Sequence, residues 1–329
     1  MDDLRAIAGT RKLKLLIVGG GRMGQRHLIG ALGLVQEISL VEPVSEAREA
    51  CRKLADNRVV VYDSLAAIVD GVRFDLIILS ATAADRFAQF EWACSRTRKI
   101  LVEKPLEQSR ARCRDIFALA DVPGLEVWIN HYRRSLRGYD TLRAAGGPYM
   151  ITVSSGAMGL GCNGIHWIDF ALHLTGQSTG KLLFGEIDPE EIRSGRGTQF
   201  RDYGGRGLFA FPDGSRLVLS SMAASSAPTT LSIITPNSHW LIDQTTDRAF
   251  VHERPEAVTH PTYLYGKDYA TTERSELEYF DLSAFTRVFI DSLQQGREPP
   301  QPRLLEVAGA YDMLFDLLEC SSQHKFDFT

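Results

Sequence analysis

Apolar runs and helical patterns take turns along the first 130 residues of the chain. Strand-like runs cover 14–20, 37–43, 58–62, 74–82, 99–105 and 125–132. The run from Phe74 is apolar almost without a break, as in a strand buried on both faces. Helical patterns fill the gaps over 23–33, 45–56, 64–70, 85–98 and 108–120. Strand then helix, repeated, predicts βαβ units, a parallel sheet and right-handed crossovers.

The rhythm changes after His131. A helical pattern over 135–145 ends at a Gly-Gly-Pro, and 148–157 alternates like a strand. The spacing predicts a helix over 163–176, closed by Gly176. From Lys181 to His252 short alternating runs separated by turn residues predict hairpins in a mostly antiparallel sheet. The polar stretch 254–274 reads as a long loop, and amphipathic helices are expected over 276–295 and 303–322. The chain thus divides into residues 1–130 and 131–329, with the late helices free to pack back on the first part.

The first strand breaks into glycines. Gly19, Gly21 and Gly24 fit G-x-G-x-x-G between a strand and a helix, and Glu42 ends the second strand. In that setting the first glycine permits the turn, the second admits a pyrophosphate, and the third lets helix and strand pack closely. Amides of the first helical turn, at Arg22 and Met23, would face the phosphates. Glu42 would accept the ribose hydroxyls and repel a 2′-phosphate, so NAD is expected over NADP, with Arg48 farther along the next helix. The plainer alternative is a tight glycine turn with no ligand.

Composition narrows the classes. Hydrophobic residues are 44% of the 329, and the formal charge is −4, with no basic surplus for nucleic acid or an anionic membrane. No apolar run approaches the roughly 18 residues of a membrane span, and residues 1–14 lack the apolar core of a signal peptide. Cys51, Cys94, Cys113, Cys162 and Cys320 are scattered and without a C-x-x-C, which points to reduced thiols in a cytoplasm and against a zinc site.

Two further motifs complete a pattern: Glu103-Lys104-Pro105 at the end of the fifth strand, and Asp169 with His173 on the 163–176 helix. With the glycine motif they resemble the Gfo/Idh/MocA oxidoreductase family, in order along nearly the whole chain. The resemblance implies an α/β N-terminal Rossmann domain with a parallel sheet, and an α+β C-terminal domain with a mostly antiparallel open sheet. It implies that Lys104 lies near nicotinamide and substrate, that Asp169 and His173 line the substrate pocket, and that the open sheet mediates a homodimer or homotetramer. His27 and Asn130 match family positions, Asn130 and Arg133 lying at the domain crossing. The family often has Thr-Pro and then His after the fourth strand, whereas this chain has Ser80 to Arg86 without them. The expected cofactor set is Gly19, Gly21, Arg22, Met23, Gly24, Glu42, Ser80, Thr82, Glu103, Lys104 and Asn130.

The residues themselves suggest the chemistry. Lys104 at a strand end, beside an apolar pocket and oxidised nicotinamide, would have a lowered pKa and could move a carbinol proton. Otherwise it is a surface lysine paired with Glu103. Asp169 and His173, four apart, share a helix face, and His173 has an ordinary pKa near 6.5 suited to proton exchange. Otherwise they are a solvated pair. His166 shares that face and joins the expected substrate-binding set with Lys104, Asp169 and His173. Trp128, Trp167, Tyr132 and Cys162 read by default as packing. Arg193, Arg196, Arg201 and Arg206 would grip a nucleotide-sugar phosphate or sit in a solvated loop. No metal is expected. These residues point to an NAD-dependent oxidoreductase moving hydride between nicotinamide and a carbinol of a sugar, nucleotide sugar or cyclitol. The rivals are a reductase of an imine or conjugated double bond, and a non-catalytic dinucleotide-binding sensor. The site is expected to form where the two domains meet.

Overall fold

The computed structural model describes residues 13–193, 197–254, 270–275, 281–321 and 324–329. Six short strands open the chain: β1 Lys14–Val18, β2 Glu37–Val41, β3 Val59–Tyr62, β4 Leu76–Leu79, β5 Lys99–Val102 and β6 Glu126–Ile129. All pair in parallel, in the order β3-β2-β1-β4-β5-β6. Between them run helices α1 Arg22–Ala31, α2 Ser45–Leu54, α3 Arg86–Cys94 and α4 Arg110–Ala120. The order reverses at β1, where β2 lies on one side and β4 on the other, so the strand ends open a crevice above β1. Leu15, Ile17, Leu40, Leu76, Ile78 and Leu101 form the buried core of this sheet, closed on one face by Trp128 against Phe289, edge to face at 5.3 Å. Removing those apolar faces from water is the main force holding the strands in register.

The second sheet has eight strands: β7 Met150–Ser155, β8 Lys181–Arg193, β9 Arg201–Ala210, β10 Arg216–Ser221, β11 Thr230–Ile234, β12 Ser238–Asp243, β13 Arg248–Glu253 and β14 Ala270–Ser275. Their order is β14-β13-β12-β11-β7-β10-β9-β8. Every pairing is antiparallel except β7 with β10. Among the described residues, the remaining α-helices are α5 Asp140–Ala144, α6 Leu160–Thr175, α7 Leu282–Gln294 and α8 Ala308–Leu318. Helices α6 and α8 pack on each other and on the strands β8–β10. The close approach shows at glycines: a Cβ on Gly207 would stand 3.0 Å from Leu317, and one on Gly185 3.0 Å from Cys320.

Contacts divide the chain into two compact units, and the division is not a single cut. The first holds the described residues of Met1–Leu106, Asp115–Asn130 and Phe280–Leu304, and the second holds the rest. Helix α7 therefore belongs with the parallel sheet, packed on α1, where a Cβ on Gly30 would stand 2.4 Å from the Ser283 carbonyl oxygen.

Several expected bounds move. The helix over 135–145 is only α5, after two short turns over Tyr132–Ser135 and Arg137–Tyr139, and Gly138 in the second of them is a poor helix former. The helix expected from 163 begins at Leu160, held by a distant cap described below. The 254–274 loop contains β14, whose polar residues pair on β13 through backbone hydrogen bonds that no hydrophobic alternation announces. Residues 255–269 and 276–280 lie outside the described residues, as does the start of the helix expected from 276.

Candidate active site

In the first unit, the turn after β1 shows why its glycines are there. Gly19 has φ +100°, and a Cβ on it would stand 2.4 Å from the Ala81 amide nitrogen. A Cβ on Gly24 would stand 1.8 Å from the Gly19 carbonyl oxygen. The protein's own packing thus demands both. Gly21 is different: its φ is −68°, open to any residue, and nothing lies within 4 Å of the place a Cβ would take. Gly21 also caps α1, which has no side-chain cap and no acidic residue in its first turn. Exposed amides, a positive helix end and clear space at the second glycine fit a phosphate group of a dinucleotide.

Glu42 stands beside this turn, buried. Its Oε2 accepts from the Gly20 amide at 2.7 Å and its Oε1 from the Val44 amide at 2.9 Å. Both oxygens are held by the backbone, each with a lone pair left for a further donor. Arg48 is not out along its helix. The α2 turn swings its Nη1 back to the carbonyls of Glu42 and Pro43, at 2.8 and 2.7 Å. Arg22 is exposed and Met23 half-buried at the start of α1. Across the crevice, Ser80 Oγ lies 2.8 Å from the Gly19 carbonyl oxygen, tying the end of β4 to the glycine turn. Thr82 leads into the turn Ala83–Asp85. The next residue, Arg86, is 1% exposed and donates to the carbonyls of Leu79 and Ala81. It braces the loop where the family pattern is missing, and nothing in the local sequence singled it out.

At the end of β5 the expected cofactor residues Glu103 and Asn130 are buried and bound to one another. Glu103 Oε1 accepts from Asn130 Nδ2 and from His27 Nε2 at 2.9 Å, and His27 Nδ1 lies 2.8 Å from Thr286 Oγ1. Burial opposes the charge on Glu103, but these two donors and nearby Lys104 hold its pKa below the usual carboxylate value. Lys104 follows, half-buried, with a cis bond to Pro105.

In the second unit Asp169 lies on α6, fully buried. Its carboxylate does not serve His173. Arg134 takes it in a fork, Nε at 2.8 Å from Oδ2 and Nη2 at 2.6 Å from Oδ1. His131 Nδ1 lies 3.2 Å from Oδ1. Burial alone would raise the Asp169 pKa, yet His131 and Arg134 hold it at about 2. His173, expected near 6.5, is brought down to about 4 by burial and by the positive charges of Arg134 and Arg143. At neutral pH it is a neutral imidazole, a hydrogen-bonding group and a weak base. His166 is buried against Tyr132, ring centroids 4.9 Å apart. Trp167 stacks under the Arg133 guanidinium at 3.8 Å. Sequence reading gave neither Arg134 nor His131 a role, because a lone arginine and histidine after a strand carry no spacing signal.

Helix α6 is placed by Asp202, 40 residues away. Its Oδ1 and Oδ2 accept from the amides of Gly161 and Cys162, both at 2.8 Å, and so cap the helix. The arginine-rich stretch leads into a hairpin, in which Arg201 pairs with Glu191 at 3.5 Å and Arg206 with Glu186 at 3.0 Å across β8 and β9. Arg196 lies outside the described residues. All five cysteines are free, Cys162 donating to the Thr329 carbonyl at 2.9 Å. Among the described residues no three or more His, Cys, Asp or Glu side chains gather as for a metal ion, and no helix is long and apolar enough to cross a membrane.

Comparison with known proteins finds a family match for the first part of the chain and the fold for the whole. The oxidoreductase family GFO_IDH_MocA, described as an NAD-binding Rossmann fold, matches residues 13–131. No curated protein matches the sequence. Solved structures share the fold across both units. A UDP-N-acetylglucosamine 3-dehydrogenase from Acidithiobacillus ferrooxidans is 17% identical, with a TM-score of 0.68 over 93% of this chain and 96% of that one. An oxidoreductase from Agrobacterium radiobacter in complex with NAD+, L-tartaric acid and magnesium is 14% identical, TM-score 0.69, over 94% and 96%. A levoglucosan dehydrogenase in complex with NADH is 13% identical, TM-score 0.73, over 94% and 97%.

Proposed function

In its residues 13–131 the chain belongs to the Gfo/Idh/MocA oxidoreductase family with its NAD-binding Rossmann fold, and on that ground we propose that it is an NAD-dependent dehydrogenase of a carbinol in a sugar, nucleotide sugar or cyclitol. The observation that carries the cofactor part is Gly21: clear space at an uncapped, positively polarised helix end, where the protein's own packing needs no glycine. Bound NAD would supply the hydride acceptor or donor. Amides of Arg22, Met23 and Gly24 would hold its pyrophosphate, and Glu42 would accept from ribose hydroxyls while disfavouring a 2′-phosphate. Ser80 and Thr82 shape the facing wall.

Lys104 is the proton-handling residue in this reading. Asp169 is committed to Arg134 and serves as a fixed anion rather than a base. His173, neutral at pH 7, binds a substrate hydroxyl and orients it. The carbinol reading is also supported by the dehydrogenases of sugars and nucleotide sugars that share the fold. A second copy of the chain is the expected partner. Met150, Ile234, Leu241 and Phe250 stand 41–54% exposed on one face of the second sheet, an apolar patch that calls for cover.

Fluorescence titration with NADH and NADPH tests the cofactor. NADH should bind more tightly, and absence of binding by either at millimolar concentration would overturn the proposal. Turnover assays with sugars, nucleotide sugars and inositols test the substrate class.

A further inference from the structure

One buried charge in the first unit takes no part in the proposed chemistry. Arg86 is 1% exposed and is the first residue of α3. Local rules do not ask for an arginine there. A cation in the first turn of a helix opposes the helix dipole, and burial takes the charge out of water. The compensation comes from what the guanidinium holds. Its Nη1 donates to the Leu79 carbonyl and its Nη2 to the Ala81 carbonyl, each at 2.5 Å. The planar fork thus spans Ser80 and fixes the backbone on both sides of it.

The segment held in this way joins two parts of the site. Leu79 ends β4, and its carbonyl also accepts from the Glu103 amide at 2.8 Å, one residue before Lys104. The Ser80 amide donates to the Val18 carbonyl at 2.8 Å, and Ser80 Oγ lies 2.8 Å from the Gly19 carbonyl oxygen. Ala81 comes so close to the glycine turn that a Cβ on Gly19 would stand 2.4 Å from its amide nitrogen. Strand order decides which half of a dinucleotide meets this segment. Strand β2, with Glu42 at its end, lies on one side of β1, and β4 and β5 lie on the other. A dinucleotide laid across the crevice with its adenosine ribose at Glu42 has its nicotinamide half over β4 and β5.

We propose that Arg86 is a positioning residue for the nicotinamide half of the cofactor: it holds the wall from Ser80 to Thr82 against the glycine turn. This rests on the proposed binding of NAD. The adenosine half has its own supports. Glu42 is fixed by the amides of Gly20 and Val44, and neither bond passes through Arg86. A wall that has lost Arg86 should therefore grip nicotinamide less well and leave the adenosine half bound as before. ADP-ribose, which carries the pyrophosphate and adenosine without nicotinamide, separates the two.

The test is calorimetric titration of the full chain with NADH and with ADP-ribose, and it needs no substrate. Arg86→Met keeps the stem and removes both donors. Its NADH dissociation constant should rise about tenfold, and its ADP-ribose constant less than about twofold. Arg86→Lys keeps the charge but reaches one carbonyl at a time, so its NADH constant should fall between those of the unaltered protein and Arg86→Met. A merely structural role would weaken both ligands alike. Affinities for NADH and ADP-ribose that fall together in folded Arg86→Met, or that both stay unchanged, overturn the proposal. Should Arg86→Met fail to fold, Arg86→Lys decides by the same comparison: weakening of NADH alone supports the proposal, and an equal effect or none on both ligands overturns it. Unaltered protein that binds neither ligand at millimolar concentration overturns the cofactor reading, and this inference with it. Binding of both ligands with no selective effect at Arg86 overturns the inference alone.

Discussion

Replacing Arg134 with methionine isolates the charge balance around Asp169. The guanidinium makes three hydrogen bonds to a carboxylate that is fully buried. Methionine keeps the length of the stem and removes the charge. The fall of the Asp169 pKa from 3.8 to about 2 is worth about 2 kcal/mol of stability. Because the folded value is the lower one, that contribution is complete above the unfolded value and is lost as pH falls toward 2. Without Arg134 the carboxylate loses its guanidinium partner and keeps His131, and breaking a buried pair typically costs about 3–5 kcal/mol near neutral pH. At roughly 2–4 °C per kcal/mol for a unit of this size, the melting temperature should fall by about 6–20 °C. Burial should then raise the Asp169 pKa, so the deficit should be largest at pH 7 and shrink toward pH 4 as the carboxyl takes a proton. Urea unfolding at a series of pH values measures this directly. The double variant Arg134→Met with Asp169→Asn should regain most of the loss, since no uncompensated charge remains. The His173 ring, followed by NMR, should titrate above its present value of about 4 and still below 6.5, because burial, the largest cause of its depression, is unchanged. A deficit under about 1 kcal/mol, or one equal at pH 4 and pH 7, would refute the reasoning.

Other outcomes follow from single contacts. Gly21→Val should leave the melting temperature within a few degrees and abolish NADH binding, whereas Gly24→Ala should destabilise the unliganded protein, because its Cβ meets the Gly19 carbonyl; thermal melts and fluorescence titration separate the two. Asp202→Ala removes both acceptors at the start of α6 and should cost about 1–2 kcal/mol in urea unfolding. Lys104→Met should retain NADH binding and lower turnover of a confirmed substrate by roughly 10²–10⁴-fold; near-normal turnover would remove Lys104 from proton handling. Light scattering at micromolar concentration should show an oligomer, and Leu241→Asp with Phe250→Asp should shift it toward monomer.

The periodic part of the fold was legible in the residues. Strand Leu76–Leu79 is an unbroken buried apolar run and helix α8 buries apolar side chains three and four positions apart, and local rules of this kind survive in one dimension. The glycine turn was legible for the same reason: Gly19 and Gly24 answer a backbone demand within six residues of each other. Strand β14 was not, because its polar residues contribute backbone hydrogen bonds and no hydrophobic face.

Of the candidate site, the residue types were visible and their partners were not. Asp169 and His173 are a turn apart and suggested a pair, yet the carboxylate is taken by Arg134, 35 residues earlier, and the ring is left neutral. Arg48 looked remote along its helix and in fact folds back on the Glu42 carbonyl. Arg201 and Arg206 read equally as an anion grip or a solvated loop, and only the hairpin shows the glutamates set across from them. By itself the sequence determined most of the strands and helices, the parallel sheet of the first unit, and the place of the glycine turn. Only the tertiary structure decided which charges neutralise one another. A side chain's protonation and free lone pairs depend on burial and on groups within a few ångströms, and those groups come from elements that the chain order keeps far apart.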